Sequence, residues 1–188
     1  MNCACDEINN NKFNNLIKKE LALSLDIDDI INESNCISFD LNLDDNLFDV
    51  TLNSNEILSN FTKSMGIYHL WIEYEYCVQH HENQYIMLCV YVGKGFFNNR
   101  IKSHIKNKWE KTEKLYVTFY QCENRIAKYL EQCFLDIYSF HLNKDENNGK
   151  DYLKTIWNEE RYLFGTNFDD YVEIMEKKNP KLFGNIQD

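Results

Sequence analysis

Glu131 stands out among the ionisable residues by its position. The segment from about Glu123 to His141 carries Ile126, Leu130, Cys133, Phe134 and Ile137 at the spacing of a core-facing helix. Its polar residues Arg125, Lys128, Gln132, Asp136 and Ser139 fall in one sector about 80° wide, and Glu131 projects about 100° from the centre of that sector, among Ala127, Leu135 and Tyr138. A carboxylate turned away from the wet face is costly unless an Arg or Lys pairs with it or it holds a cation. Upstream, Arg100 and His104 are four residues apart in RIKSHIKNKW and share one helix face. They offer a forked donor matched to phosphate oxygens and an imidazole able to carry a proton near neutral pH.

Charge is distributed in a way that fits those groups. The chain of 188 residues has a net charge of -10, which by itself argues against binding a polyanion. Residues 1–65 hold 12 acids against 4 bases, whereas residues 91–115 hold Lys94, Arg100, Lys102, Lys106, Lys108, Lys111 and Lys114 against Glu110 and Glu113. The basic block coincides with the helix that carries Arg100 and His104. A lysine run of this kind is either a solvated helix face or a phosphate contact surface.

The elements that must position these residues follow from periodicity. IYHLWIEYEYCVQ (67–79) alternates, placing Tyr68, Leu70, Ile72, Tyr74 and Tyr76 on one face of a strand and Glu73 and Glu75 on the other. HHENQ (80–84) reads as a turn and YIMLCVYV (85–92) as a second, more buried strand, giving an antiparallel hairpin that ends at Gly93-Lys94-Gly95. A helix capped near Asn98 or Asn99 follows, then a third strand at LYVTFY (115–120), then the helix of Glu131. The expected fold is therefore α/β in the α+β sense: a three-stranded antiparallel sheet flanked by helices.

Residues 1–64 read as an acidic, Asn-rich extension with one helix across 12–25, partly disordered, and residues 150–188 as a C-terminal helical extension. In the latter, helices are expected at 151–162 and 168–178, with Thr166 or Asn167 as a cap and Pro180 as a stop. No apolar run approaches the ~20 residues of a membrane span, and MNCACDEINNN is acidic where a signal peptide is basic, so an intracellular protein without a membrane partner is expected. Seven scattered cysteines suit reduced thiols, and Cys3-x-Cys5 is too tight for the usual zinc pair.

With these elements in place, residues 65–149 resemble the GIY-YIG nuclease superfamily. Gly66-Ile67-Tyr68 stands on the first strand, Tyr91-Val92-Gly93 on the second, Arg100 and His104 on the RIxxH helix, Glu131 on the last helix and Asn143 twelve residues beyond it. Within the superfamily, YVGKG with a downstream HLNKDENNG looks most like the nuclease domain of the metazoan ankyrin-repeat and LEM-domain proteins that act on branched DNA, although no ankyrin repeat or LEM pattern is visible. The 23 positions from Tyr68 to Tyr91 exceed the spacing of compact family members and imply a lengthened hairpin loop.

The resemblance implies a metal-dependent endonuclease that hydrolyses phosphodiester bonds in DNA, with RNA also open as a substrate. By it, Glu131 would hold one divalent cation, Mg²⁺ or Mn²⁺, completed by water and substrate phosphate. Tyr68 would act as general base or water positioner, with Tyr91 beside it across the hairpin. Because a free phenol has pKa near ~10, a phenolate would need positive charge close by, from Lys94 and the metal. Arg100 would clamp phosphate, His104 would relay a proton from Tyr68 or donate to the phosphate, and Gly93 and Asn143 would support the site, Asn143 by orienting the Glu131 region. Lys94, Lys102, Lys106 and Lys108 would bind the nucleic-acid backbone. The alternative is a catalytically silent nucleic-acid-binding module on the same fold. Taken singly, Tyr68 and Tyr91 are better read as half-buried strand aromatics, and Trp71, Trp109 and Trp157 as core or rim packing rather than base-stacking platforms.

Overall fold

A computed structural model of the chain describes residue 5 and residues 8–21, 25–32, 35–39, 63–77, 84–107 and 115–164. In chain order the elements are α1 (Asn11–Leu21), α2 (Ile27–Ile31), β1 (Asn35–Phe39), β2 (Met65–Cys77), β3 (Gln84–Phe96), α3 (Phe97–Asn107), β4 (Leu115–Gln121), α4 (Asn124–Ile137), β5 (Lys154–Asn158) and α5 (Glu159–Phe164). The mixed α/β class is the one expected. The sheet, however, has five strands where three were expected, in the order β1-β4-β2-β3-β5, with every pair antiparallel.

The three expected strands form its centre. Tyr68 pairs with Gly93 on β3 and with Phe119 on β4, so the two glycine-containing tripeptides meet at their last residues, Tyr68 opposite Gly93. Register shifts between Leu70 and Trp71 and between Glu73 and Glu75 mark bulges that absorb the long hairpin. The expected turn at residues 80–83 lies outside the described residues, and Gln84, placed in that turn, opens β3.

Both added strands come from the flanks. Lys154–Asn158 was expected to be helical; it pairs instead with Gln84–Leu88, burying Thr155 and Trp157 on alternate positions. The β-branched and aromatic run TIW fits a pleated, half-buried surface better than a helix, and the helix that follows is only the short α5. The second expected C-terminal helix, with Thr166, Asn167 and Pro180, lies outside the described residues. At the other flank β1 pairs with β4, while α1 covers most of the expected N-terminal helix.

Two cores lie on the two faces of the sheet. Ile67, Trp71 and Val92 pack with Leu130 and Phe134 of α4, Phe13 and Ile17 of α1 and Ile27, Ile30 and Ile31 of α2. Tyr68, Leu70, Val117 and Phe119 pack with Phe97 and Ile101 of α3. Asp26 caps α2 by accepting from Asp28 and Asp29 backbone N–H groups, and the Asp29 carboxylate accepts from the Asp26 backbone N–H, a reciprocal arrangement that fixes where residues 25–32 join the core. Trp71 and Trp157 are core residues, as expected. Cys89, Cys122 and Cys133 are free thiols. No described helix is long and apolar enough to cross a membrane.

Candidate active site

β3 is covered by β5 only along Gln84–Leu88. Past that point its outer edge is met by loop atoms: the Leu142 N–H donates to the Val90 carbonyl at 2.9 Å. Two residues further, Asn143 substitutes for a strand. Its side-chain carbonyl accepts from the Val92 N–H at 3.0 Å and its amide donates to the Val92 carbonyl at 2.9 Å. Asn143 thus holds the backbone between Tyr91 and Gly93, where the sequence had suggested that it orients Glu131.

Gly93 explains how two phenols fit side by side. A Cβ at this position would lie 2.6 Å from Tyr68 Oη and 2.7 Å from Tyr91 Cε1, so the absent side chain is the space that the phenols fill. The Tyr68 and Tyr91 rings stack with centroids 6.0 Å apart. Gly95 has φ +129°, which only glycine adopts without strain, and Arg100 Nε would lie 3.2 Å from a Cβ there. That backbone turns the chain from β3 directly into α3, which starts at Phe97, slightly ahead of the expected cap.

α3 then delivers His104 to the phenols. His104 is buried, and its Nε2 lies 2.8 Å from Tyr68 Oη. The imidazole also packs on the Tyr91 ring at 4.5 Å between centroids. Arg100, one turn earlier on α3, is exposed, and its positive charge partly opposes the rise that burial imposes on the pKa of both phenols. Lys102 is exposed on the same helix. The Lys106 side chain and Lys108 lie outside the described residues.

Glu131 approaches from the other side of the sheet. α4 packs on the face opposite Tyr68, yet the offset of Glu131 from its polar sector carries the carboxylate to the rim of β3, where Oε2 accepts from Lys94 Nζ. The pair is partly sheltered, with side-chain exposures of 31% for Lys94 and 18% for Glu131. Of the two explanations open for Glu131, a lysine partner is therefore present. Its charge still reaches the phenols and raises the pKa of both.

The electrostatic balance decides the resting state of Tyr68. Burial pushes its pKa far above the usual phenol value, and Tyr91 and Glu131 push the same way against Arg100. Burial raises Tyr91 too, with Glu131 adding to the rise and Arg100 opposing it. The groups of the chain alone thus hold Tyr68 as a neutral phenol, with its proton available to donate.

All of Tyr68, Tyr91, Gly93, Lys94, Arg100, His104, Glu131 and Asn143 converge on one rim of β3. Sequence reasoning missed the partner of Asn143 and the identity of the Glu131 partner; only the direction of Glu131 on its helix signalled that it had one. Among the described residues no group of three or more His, Cys, Asp or Glu side chains could hold a metal. A divalent cation at Glu131 would take its remaining ligands from water and phosphate, as Mg²⁺ commonly does. The Lys94 ammonium already shows that Oε2 accepts positive charge. No family model matches the chain, and no curated protein and no solved structure was found to match it.

Proposed function

We propose that the chain is a metal-dependent endonuclease of the GIY-YIG type that hydrolyses phosphodiester bonds in DNA. The observation that carries this reading is the meeting of two phenols, an imidazole, a guanidinium and a carboxylate from β2, β3, α3 and α4 at a single rim of the sheet.

Each group has a task that its surroundings suit. Tyr68 takes a proton from the attacking water as its own O–H proton passes to His104 Nε2, 2.8 Å away, so the neutral phenol acts as a relay and no free phenolate builds up; as the new P–O bond forms, the bond to the leaving sugar oxygen breaks and that oxygen takes a proton from solvent. Tyr91, stacked beside it, keeps Tyr68 in place and borders the water. Arg100 presents two N–H groups to the non-bridging phosphate oxygens, where charge accumulates in the transition state. Glu131 holds the divalent cation, Mg²⁺ or Mn²⁺, which when bound supplies Lewis-acid polarisation of the phosphate. Asn143 and Gly93 keep the Tyr91 backbone and both rings in register. Lys94 and Lys102 add backbone contacts that place the strand.

Substrate shape follows the closer resemblance, which points to branched DNA. The test is a panel of end-labelled linear, nicked, forked and four-way DNA incubated with purified protein and Mg²⁺ or Mn²⁺. Cleavage that disappears in EDTA, strongest on the junction substrates, is expected. Binding that persists in EDTA with no turnover under any metal would instead identify a silent binding module.

A further inference from the structure

Among the described residues, three large apolar or aromatic side chains are exposed: Tyr74, Phe96 and Tyr152. Two of them flank one lysine. Lys154 sets its ammonium 4.7 Å from the centroid of the Tyr74 ring, and Tyr152, at 67% exposure, stands two residues before it.

The local sequence builds a strip. From Lys150 to Thr155 burial alternates, with Lys150 and Tyr152 exposed and Leu153 and Thr155 buried, so Lys150, Tyr152 and Lys154 share the outward side. Lys154 pairs with Leu88, and Leu88 with Ile72, which places all three in one row on the sheet face that also carries Tyr68. A cleft of about 390 Å³ adjoins, lined by Lys12, Tyr138, Lys150, Asp151, Tyr152 and Lys154 among others. It gathers three ammonium groups to one carboxylate, and Lys12 already pairs with that carboxylate. On a chain of net charge -10, such a positive surface runs against the average.

Lysines neutralise phosphates, and an exposed tyrosine ring stacks on a base face. A duplex hides its base faces inside the stack, whereas a single strand offers them. The six residue steps of β2 from Tyr68 to Tyr74 span about 20 Å, so a strand lying on this strip leads along the sheet to the catalytic phenols.

We propose that Lys150, Tyr152, Lys154 and Tyr74 form a docking track for single-stranded nucleic acid. Its role in feeding the active site rests on the nuclease reading, but its existence is tested without catalysis. The experiment is fluorescence anisotropy of the full chain in EDTA with a labelled 15-nucleotide oligo-dT and a blunt 15-base-pair duplex across a salt series.

Wild type should bind the single strand more tightly than the duplex. Tyr152→Ala should weaken oligo-dT binding about tenfold, as expected for one lost stacking platform, and leave the duplex nearly unmoved. Tyr152→Trp should retain binding. Lys150→Ala with Lys154→Ala should flatten the log–log salt dependence by about 1.4, two phosphate contacts at about 0.7 each. Wild-type affinity for oligo-dT in these variants, equal weakening of duplex and single strand, or no binding by wild type would each overturn the proposal. Binding without cleavage of any substrate would remove the nuclease reading and leave this one standing.

Discussion

Lys94 and Glu131 form an ion pair that ties β3, the strand of Tyr91, to a helix packed on the opposite face of the sheet from Tyr68. The ammonium occupies the carboxylate oxygen that the proposed divalent cation would use, so the two cations would compete. Lys94→Met should therefore tighten Mn²⁺ binding, by roughly fivefold if the pair is worth about 1 kcal/mol. Calorimetric titration measures this without any cleavage assay. Unchanged or weaker Mn²⁺ affinity would show that Lys94 and the metal do not share Glu131.

Gly93→Ala should abolish activity while the chain still folds. The new methyl would meet Tyr68 Oη and the Tyr91 ring at 2.6 and 2.7 Å, and neither ring can withdraw without leaving its partner. Overpacking of this kind costs about 1–3 kcal/mol. A thermal melt and a cleavage rate taken on the same preparation check it; wild-type turnover would mean that the phenols need not sit together.

Asn143→Leu removes both hydrogen bonds to Val92 and leaves a backbone donor and acceptor on an uncovered strand edge. A loss of about 1–3 kcal/mol of stability is expected, together with slower cleavage and little change in metal affinity, since Asn143 acts on the Tyr91 segment. A large loss of Mn²⁺ affinity with an unaltered melt would return Asn143 to the Glu131 side of the site.

His69 gives a prediction in pH. It is fully buried, packed edge-to-face on Phe134 at 4.6 Å, and neither ring nitrogen has a hydrogen-bond partner. Burial lowers its pKa from 6.5 to about 3. The unfolded chain therefore binds a proton that the folded chain refuses: the contribution to stability is present above pH 6.5 and is lost as the pH falls towards 3, with a slope of at most about 1.4 kcal/mol per pH unit. His69→Leu should flatten the fall in melting temperature between pH 6.5 and 4. Parallel curves for wild type and variant would place the acid sensitivity elsewhere.

Much of this site was legible from pattern alone because its strands alternate strongly and its helices keep one apolar face. Tyr68, Tyr91, Arg100 and His104 occupy the elements that periodicity assigns them. Glu131 was legible as a displaced carboxylate, but periodicity on one helix cannot say which group meets it across a sheet, and Lys94 emerges only when β3 and α4 are packed together. β5 escaped notice because its five residues run straight into the Glu159-Glu160-Arg161 segment of α5, and a short alternation beside a helix start gives no clear period. β1 pairs with a strand some 80 residues away (Asn35 with Phe119), a relationship that no local window contains. Asn143 is similar: the resemblance assigns it to the Glu131 region, and only the outer edge of β3 shows the backbone that it holds.

The most direct test compares wild type with Glu131→Gln for the single-turnover cleavage rate of a labelled DNA junction in saturating Mg²⁺, with DNA affinity measured alongside. Loss of the carboxylate charge should lower the rate by at least about a hundredfold, equivalent to about 2.7 kcal/mol of transition-state stabilisation, while DNA affinity stays within a few fold. A variant that cuts as fast as wild type would contradict the assignment of the catalytic rim.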